Sequence, residues 1–199
     1  MSNSHSETVA LDRRAFVSAL IDRCPDALVV AGLGSATYDV FAAGDRPQNF
    51  YLWGAMGGAA AIGLGLALAQ PSRQVLVITG DGEQLMGMGA LATVGAQSPK
   101  NLTIVVLDNG HYGETGMQLS HTSLGTNLAG VARACGIADA FEANGMDVIG
   151  RIANSVSQLS GPTLAQVAIK AEDVPRALPS RDGVYIKNRF RAELGLAPL

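Results

Sequence analysis

The sequence predicts an α/β protein: a doubly wound, mostly parallel sheet with helices on both faces. Three observations carry that reading. Val75–Thr79 and Leu102–Leu107 are short β-branched runs, each ending in a polar cluster, Gly80-Asp81-Gly82 and Asp108-Asn109-Gly110. The segment between them is apolar and helix-like, and strand–helix–strand of this length is a parallel crossover. Further short runs, Ala27–Ala31, Ala138–Glu142 and Pro162–Lys170, alternate with helical patterns. In such a sheet the strand C-termini share one ligand-facing edge. Asp81 and Asn109 are therefore expected side by side there, although 26 residues, 83 to 108, separate Gly82 from Asn109.

The totals bound the class. A chain of 199 residues suffices for one substantial core, or one domain plus a tail. The expected division is a domain over 1–171 and a C-terminal tail over 172–199 that packs on the domain or on a partner. With 48% hydrophobic and 16% charged residues it is globular rather than disordered. A net charge of −3 carries no nucleic-acid signature. Cys24 and Cys135 lie far apart and form no CxxC, which argues against an iron–sulfur or zinc site and fits a reducing compartment. The opening MSNSHSETVALDRR lacks the apolar core of a signal peptide, so a cytoplasmic location is expected. Gly54–Ala69 is 16 residues long, shorter than the roughly 20 of a membrane span. Eleven of those 16 are Gly or Ala, which suits a buried helix or a subunit contact.

In chain order, residues 8–23 read as an amphipathic helix, with Phe16, Val17, Leu20 and Ile21 on one side and Arg13, Arg14, Asp22 and Arg23 elsewhere. Pro25 helps to end it. The strand at Ala27–Ala31 runs into Gly32-Leu33-Gly34-Ser35, which lacks the third glycine of a dinucleotide fingerprint. Tyr38–Ala43 is a short helix and Asp45–Asn49 a loop; Phe50–Gly57 then leads into the Gly/Ala helix. Gly82 opens the next helix, Leu85–Gly95 is the crossover, and Pro99 closes the connection. Gly110–Thr126, GHYGETGMQLSHTSLGT, is a long loop dense in functional side chains. Its His111, Glu114, Gln118 and His121 are candidate acid/base or substrate contacts; the alternative is a solvated loop residue, or for His111 a backbone role. Asn127 caps a helix over Leu128–Cys135. Asp147–Leu159 is another, with Val148, Ile149, Ile152, Val156 and Leu159 at helical spacing. Glu172–Leu199 carries Arg176, Arg181, Lys187, Arg189 and Arg191 and is expected over a neighbour or the site's mouth. That basic cluster either steers an anionic substrate or is solvated surface.

A carboxylate and an amide oxygen on adjacent loops are hard ligands, suited to Mg²⁺ or Ca²⁺. With a helix opening beside them, free N–H groups face the same spot. A cation beside a helix N-terminus is a site for a diphosphate. The pattern resembles the thiamine diphosphate motif, GDG, a spacer and Asn-Asn, with Asp108 in place of the first Asn. The resemblance covers about residues 11–170 and implies the thiamine diphosphate-binding fold. It implies that Asp81, Asn109 and the backbone carbonyl of His111 hold the metal, which holds the cofactor diphosphate. Cofactor contacts are implied at Ser35, Gly54, Met56, Gly80, Gly82, Glu83 and Tyr112 as well. Gly54 would accept from the aminopyrimidine through its carbonyl, and Met56 would prop the cofactor into a bent shape that brings its amino group to the reactive carbon. As alternatives, Met56 is a core gap-filler and Gly-x-Gly-Ser an ordinary turn. Glu83 stands where the family more often has a small residue. An acid there repels a diphosphate unless its side chain turns away, although acids suit a helix's first turn.

Within the family, the DNGHYGETGMQ segment and the chain length resemble the small or β subunits of sulfopyruvate and phosphonopyruvate decarboxylases. The implied reaction is non-oxidative decarboxylation of an anionic 2-oxo acid, with Glu114 near the place where some family members carry an acid. Alternatives are an acetolactate synthase-like carboligase subunit and a non-catalytic nucleotide-binding regulatory subunit. A ferredoxin-linked oxidoreductase subunit is disfavoured, because two lone cysteines cannot ligate a cluster. In this family a pyrimidine-binding domain supplies the activating glutamate, and the segment before Gly32 holds only one helix and one strand. A partner subunit is therefore expected, in an α2β2 or larger hetero-oligomer, with the Gly/Ala helix as a contact surface.

Overall fold

The computed structural model describes residues 11–199. Its strands are β1 (Leu28–Ala31), β2 (Asn49–Tyr51), β3 (Val75–Gly80), β4 (Leu102–Asp108), β5 (His111–Tyr112), β6 (Gln118–Leu119), β7 (Asp139–Ala143) and β8 (Thr163–Ala168). Six of them form one parallel sheet in the order β2-β1-β3-β4-β8-β7, and β5 and β6 make a small antiparallel hairpin. β3 and β4 lie at the centre, in register from Val75↔Leu102 to Gly80↔Leu107. Both are apolar at almost every position because both faces of a parallel sheet are covered.

The covering helices are α1 (Arg13–Arg23), α2 (Ser35–Ala42), α3 (Ala59–Ala69), α4 (Asp81–Met86), α5 (Ala90–Gln97), α6 (Leu128–Ala134), α7 (Val148–Ser157) and α8 (Gly183–Glu193). On one face, Phe16, Leu20 and Ile152 of α1 and α7 pack with Val29, Ile78 and Val105 of the sheet. On the other, Leu64, Leu91 and Leu128 of α3, α5 and α6 meet Val30, Val77 and Ile104. Each such side chain, fully buried, stabilises the fold by roughly 1.5–3 kcal/mol. The small residues of α3 serve this packing: a Cβ on Gly63 would lie 2.2 Å from a methyl of Val77.

Several expected boundaries move. Residues 8–10 of the first helix lie outside the described residues, as does most of the N-terminal stretch read for a signal peptide. α1 starts at Arg13, capped by Asp12, whose carboxylate accepts from the Ala15 amide at 2.8 Å. Arg13, read as a polar-side residue, is 4% exposed. Ser35 is the first residue of α2 rather than part of a loop. Asn49–Tyr51 is an edge strand and not the end of a loop. The Gly/Ala helix begins only at Ala59, after a turn over 54–58. Asp81, not Gly82, opens α4, and the crossover is two helices broken at Gly87-Met88-Gly89. The break follows from a close approach: a Cβ on Gly87 would lie 2.0 Å from the Gly57 carbonyl oxygen.

The segment after residue 171 folds back on the chain's own edge strand. Ile186 and Phe190 of α8 are buried, and Phe190 meets Phe50 with ring centroids 5.5 Å apart. Arg189 pairs with Asp45 at 2.7 Å and donates to the Asn49 carbonyl at 2.9 Å. Among the described residues, no helix is long and apolar enough to cross a membrane.

Candidate active site

From β1 the chain passes to β2 on one side and then to β3 on the other, so the switch point of the sheet lies between β1 and β3. Ligands of doubly wound sheets bind outside the strand ends at that point. An open cleft of about 600 Å³, part of it continuous with solvent, lies there. Ser35 lines it from the start of α2, Gly80, Asp81, Gly82 and Glu83 from the end of β3, and Asn109 and His111 from the end of β4. Met56 enters from the turn before α3, and Tyr112 to Thr115 form a wall.

Asp81 is 2% exposed. Its Oδ2 accepts from Ser120 Oγ at 2.5 Å and from Thr122 Oγ1 at 3.3 Å. Burial pushes its carboxyl above the usual carboxylate range; the Ser120 hydroxyl opposes that, and the Asp108 charge adds to it. Asp108 is a scaffold residue. Its Oδ1 accepts from the Gly110 amide at 2.9 Å and Thr122 Oγ1 at 2.8 Å, and its Oδ2 accepts from Gln166 Nε2 at 2.7 Å. Asn109 Oδ1 accepts from the His111 amide at 2.9 Å and keeps a second lone pair. The His111 ring is held through Nδ1, which donates to the Asn109 carbonyl at 2.7 Å.

These residues fit a hard cation. The donors are oxygens only, and just one of the proposed ligands is a carboxylate; the described residues contain no cluster of three or more His, Cys, Asp or Glu that could hold a metal. Such a set suits Mg²⁺ completed by phosphate and water, and not a zinc site. They also fit an anionic ligand. The N-terminus of α2 has no side-chain cap, and Gly34, at φ 84°, turns the chain into it.

Glu83 lines the cleft with its carboxylate held by hydrogen bonds. It is 4% exposed; one carboxylate oxygen accepts from Thr79 Oγ1 at 2.9 Å and the other from the Gly57 amide at 3.3 Å. Burial raises its pKa, and the Thr79 bond lowers it. A Cβ on Gly32 would lie 1.8 Å from its Oε2. Glu83 thus ties the loops after β1 and before α3 to the end of β3.

Three anticipated residues do not line the cleft. Gly54 sits at an exposed turn. Gln118 is committed to its hairpin, donating to the Thr115 carbonyl at 2.8 Å and accepting from Thr115 Oγ1 at 3.0 Å. His121 is exposed and its Nδ1 pairs with the Tyr112 hydroxyl at 2.7 Å. Glu114 does line the cleft, beside Gly34. Sequence reasoning passed over Thr79, Ser120 and Thr122, hydroxyls with no motif of their own. Their signal was only that a buried carboxylate needs donors.

The profile described as thiamine pyrophosphate enzyme, C-terminal TPP binding domain matches residues 32–175. The chain is 38% identical over 192 residues to a phosphonopyruvate decarboxylase of Streptomyces viridochromogenes, covering 94% of this chain and 47% of that protein. It therefore spans about half the length of that relative. It is 36% identical over 189 residues to the sulfopyruvate decarboxylase subunit beta of Methanothermobacter thermautotrophicus, covering 92% of this chain and 96% of that one. The fold matches a thiamine diphosphate-dependent 4-hydroxybenzoylformate decarboxylase of Rhodococcus jostii with a TM-score of 0.69 at 20% identity, over 87% of this chain and 35% of that one.

Proposed function

We propose, from the premise that this chain belongs to the thiamine pyrophosphate enzyme family through its C-terminal TPP-binding domain, that it is the diphosphate-binding subunit of a thiamine diphosphate- and Mg²⁺-dependent 2-oxo acid decarboxylase. The observation that carries this reading is the single cleft shared by Asp81, Asn109, His111, Ser35 and Met56 at the switch point of the sheet. Asp81, Asn109 and the His111 carbonyl would hold Mg²⁺, and Ser35 with the first amides of α2 would hold diphosphate oxygens. When bound, the cofactor supplies the nucleophilic carbon and the electron sink for loss of CO₂. The chain's own residues bind and orient. Ser120 and Thr122 keep Asp81 aimed, Glu83 ties the Met56 turn to the sheet, and Glu114 can hold a proton at the wall.

An anionic 2-oxo acid such as sulfopyruvate or phosphonopyruvate is the proposed substrate, supported by the names of the two relatives. A second subunit with a pyrimidine-binding domain is the proposed source of the activating glutamate, in an α2β2 or larger assembly. The near full-length match to a protein named subunit beta supports it. The two free cysteines support a cytoplasmic setting. The test is calorimetry with thiamine diphosphate in the presence and absence of Mg²⁺, followed by CO₂ release from a panel of 2-oxo acids with and without the partner. Mg²⁺-dependent binding and partner-dependent CO₂ release are expected. No binding of thiamine diphosphate, or condensation products in place of aldehyde, would overturn the reading.

A further inference from the structure

Two guanidinium groups converge on one carboxylate beneath the cleft. Asp39, on α2, is 0% exposed. Arg14 satisfies one of its oxygens, with Nε donating to Oδ1 at 3.1 Å while its Nη2 donates to the Pro175 carbonyl at 2.8 Å; Oδ2 has no hydrogen-bond partner among the described residues. Arg13 approaches the same carboxylate only at 3.4 Å, Nε to Oδ2, and among the described residues its Nε has no hydrogen-bond partner. Arg13 is nevertheless 4% exposed. A guanidinium stays charged at any relevant pH, so a buried one with a spare fork requires an anion. Arg13 lines the cleft together with Ser35, Ala36, Leu107 and Ile169. No other arginine or lysine lines it. Of the three carboxylates there, Asp81 is committed to Ser120 and Thr122 and Glu83 to Thr79 and Gly57, while Glu114 lies beside Gly34.

We infer that Arg13 is a cofactor-anchoring residue whose guanidinium meets the terminal phosphate of thiamine diphosphate at the uncapped N-terminus of α2. The inference rests on the cofactor reading above. Arg13 shares the lining of the cleft with Ser35 and Ala36 at the start of α2 and with Leu107 and Ile169 by the ends of β4 and β8. A phosphate at that helix end matches the guanidinium fork. Its charge complements that of the metal held by Asp81.

Calorimetry of the protein as purified, with any co-purifying subunit and Mg²⁺, separates the possibilities. Thiamine diphosphate and thiamine monophosphate are titrated into the wild type, Arg13→Met and Arg13→Lys. Arg13→Met should weaken thiamine diphosphate on the order of 10- to 100-fold, with much less effect on the monophosphate. Arg13→Lys should recover part of the loss. If Arg13→Met is poorly folded by thermal unfolding, Arg13→Met/Asp39→Asn removes the buried pair together and leaves the same comparison. Equal thiamine diphosphate affinity in wild type and a folded Arg13→Met would overturn the inference. So would unchanged cofactor affinity with a raised KM for an anionic 2-oxo acid, which would move Arg13 to the substrate. Failure of the wild type to bind thiamine diphosphate at all would overturn the cofactor reading itself.

Discussion

The end of β3–β4 and the loop over 110–126 both furnish the cleft, yet they hold their side chains by different means. Asp81 and Asn109 are fixed by backbone: two buried strands in parallel register deliver them to one edge, whatever the neighbouring side chains do. Gln118 and His121 are held by local bonds in an exposed hairpin, and of the three only Glu114 reaches the cleft. The loop is not independent, however. Ser120, 0% exposed, and Thr122 return to Asp81 and Asp108, so the base of the loop is fastened to the strand-end edge while its tip faces solvent. Position set by a ladder is robust, and position set by a few hydroxyls is adjustable.

The sharpest way to break that contrast is at the edge itself. Asp81→Ala removes the only charged ligand proposed for the metal, and binding of Mg²⁺ with thiamine diphosphate should fall below detection in calorimetry while the far-UV circular dichroism is retained. Unchanged affinity would remove Asp81 from the metal site. Next in size is Ser120→Ala, which cuts the bond between loop and edge. Loss of such a supporting partner should weaken Mg²⁺ on the order of 10- to 100-fold. It should also speed amide exchange across residues 110–126; an effect on exchange alone would make Ser120 a loop anchor only.

A third substitution, Met56→Ala, should lower turnover by more than it lowers cofactor affinity if the apolar Met56 shapes a bound cofactor, as proposed, rather than holding its charge. Equal losses with a reduced melting temperature would mark it as packing. The smallest effect lies in the core beneath the edge. Burial pushes the Cys24 thiol up to about 11, so it stays neutral at pH 8. Cys24 should therefore resist a thiolate-directed reagent at that pH in the native protein and react once the protein is unfolded. Rapid native labelling would show that this core opens.

What was legible in the sequence follows the same division. β3 and β4 were readable because both faces are covered, which leaves uninterrupted Val, Ile and Leu runs with turn residues at their ends. β2 was not, since three edge residues after Pro47 carry too little pattern. The break between α4 and α5 was signalled by Gly87 and Gly89, but its cause, contact with Gly57, is a tertiary one. In the site, Asp81, Asn109, Ser35 and Met56 stand at element ends that a strand–helix pattern locates. Arg13 was misread as polar surface because helical periodicity does not reveal that α2 brings a buried carboxylate to it. Glu83 was expected among the cofactor contacts, and nothing in the sequence indicated Thr79 and Gly57 as its partners.

The buried carboxylate of Glu83 also constrains which neighbouring sequences are reachable by single steps. The Glu83 carboxylate fills the space beside Gly32 that even one methyl group would need. Gly32→Ala on its own therefore meets the carboxylate oxygen that Thr79 holds, whereas Glu83→Ala vacates that space and leaves the Thr79 hydroxyl oxygen 3.0 Å from the new methyl. The two positions form an ordered pair: a route to a larger residue in the first loop opens only after the acid has been shortened. A mutational library that varies both positions should therefore recover alanine at Gly32 more often than one that varies Gly32 alone.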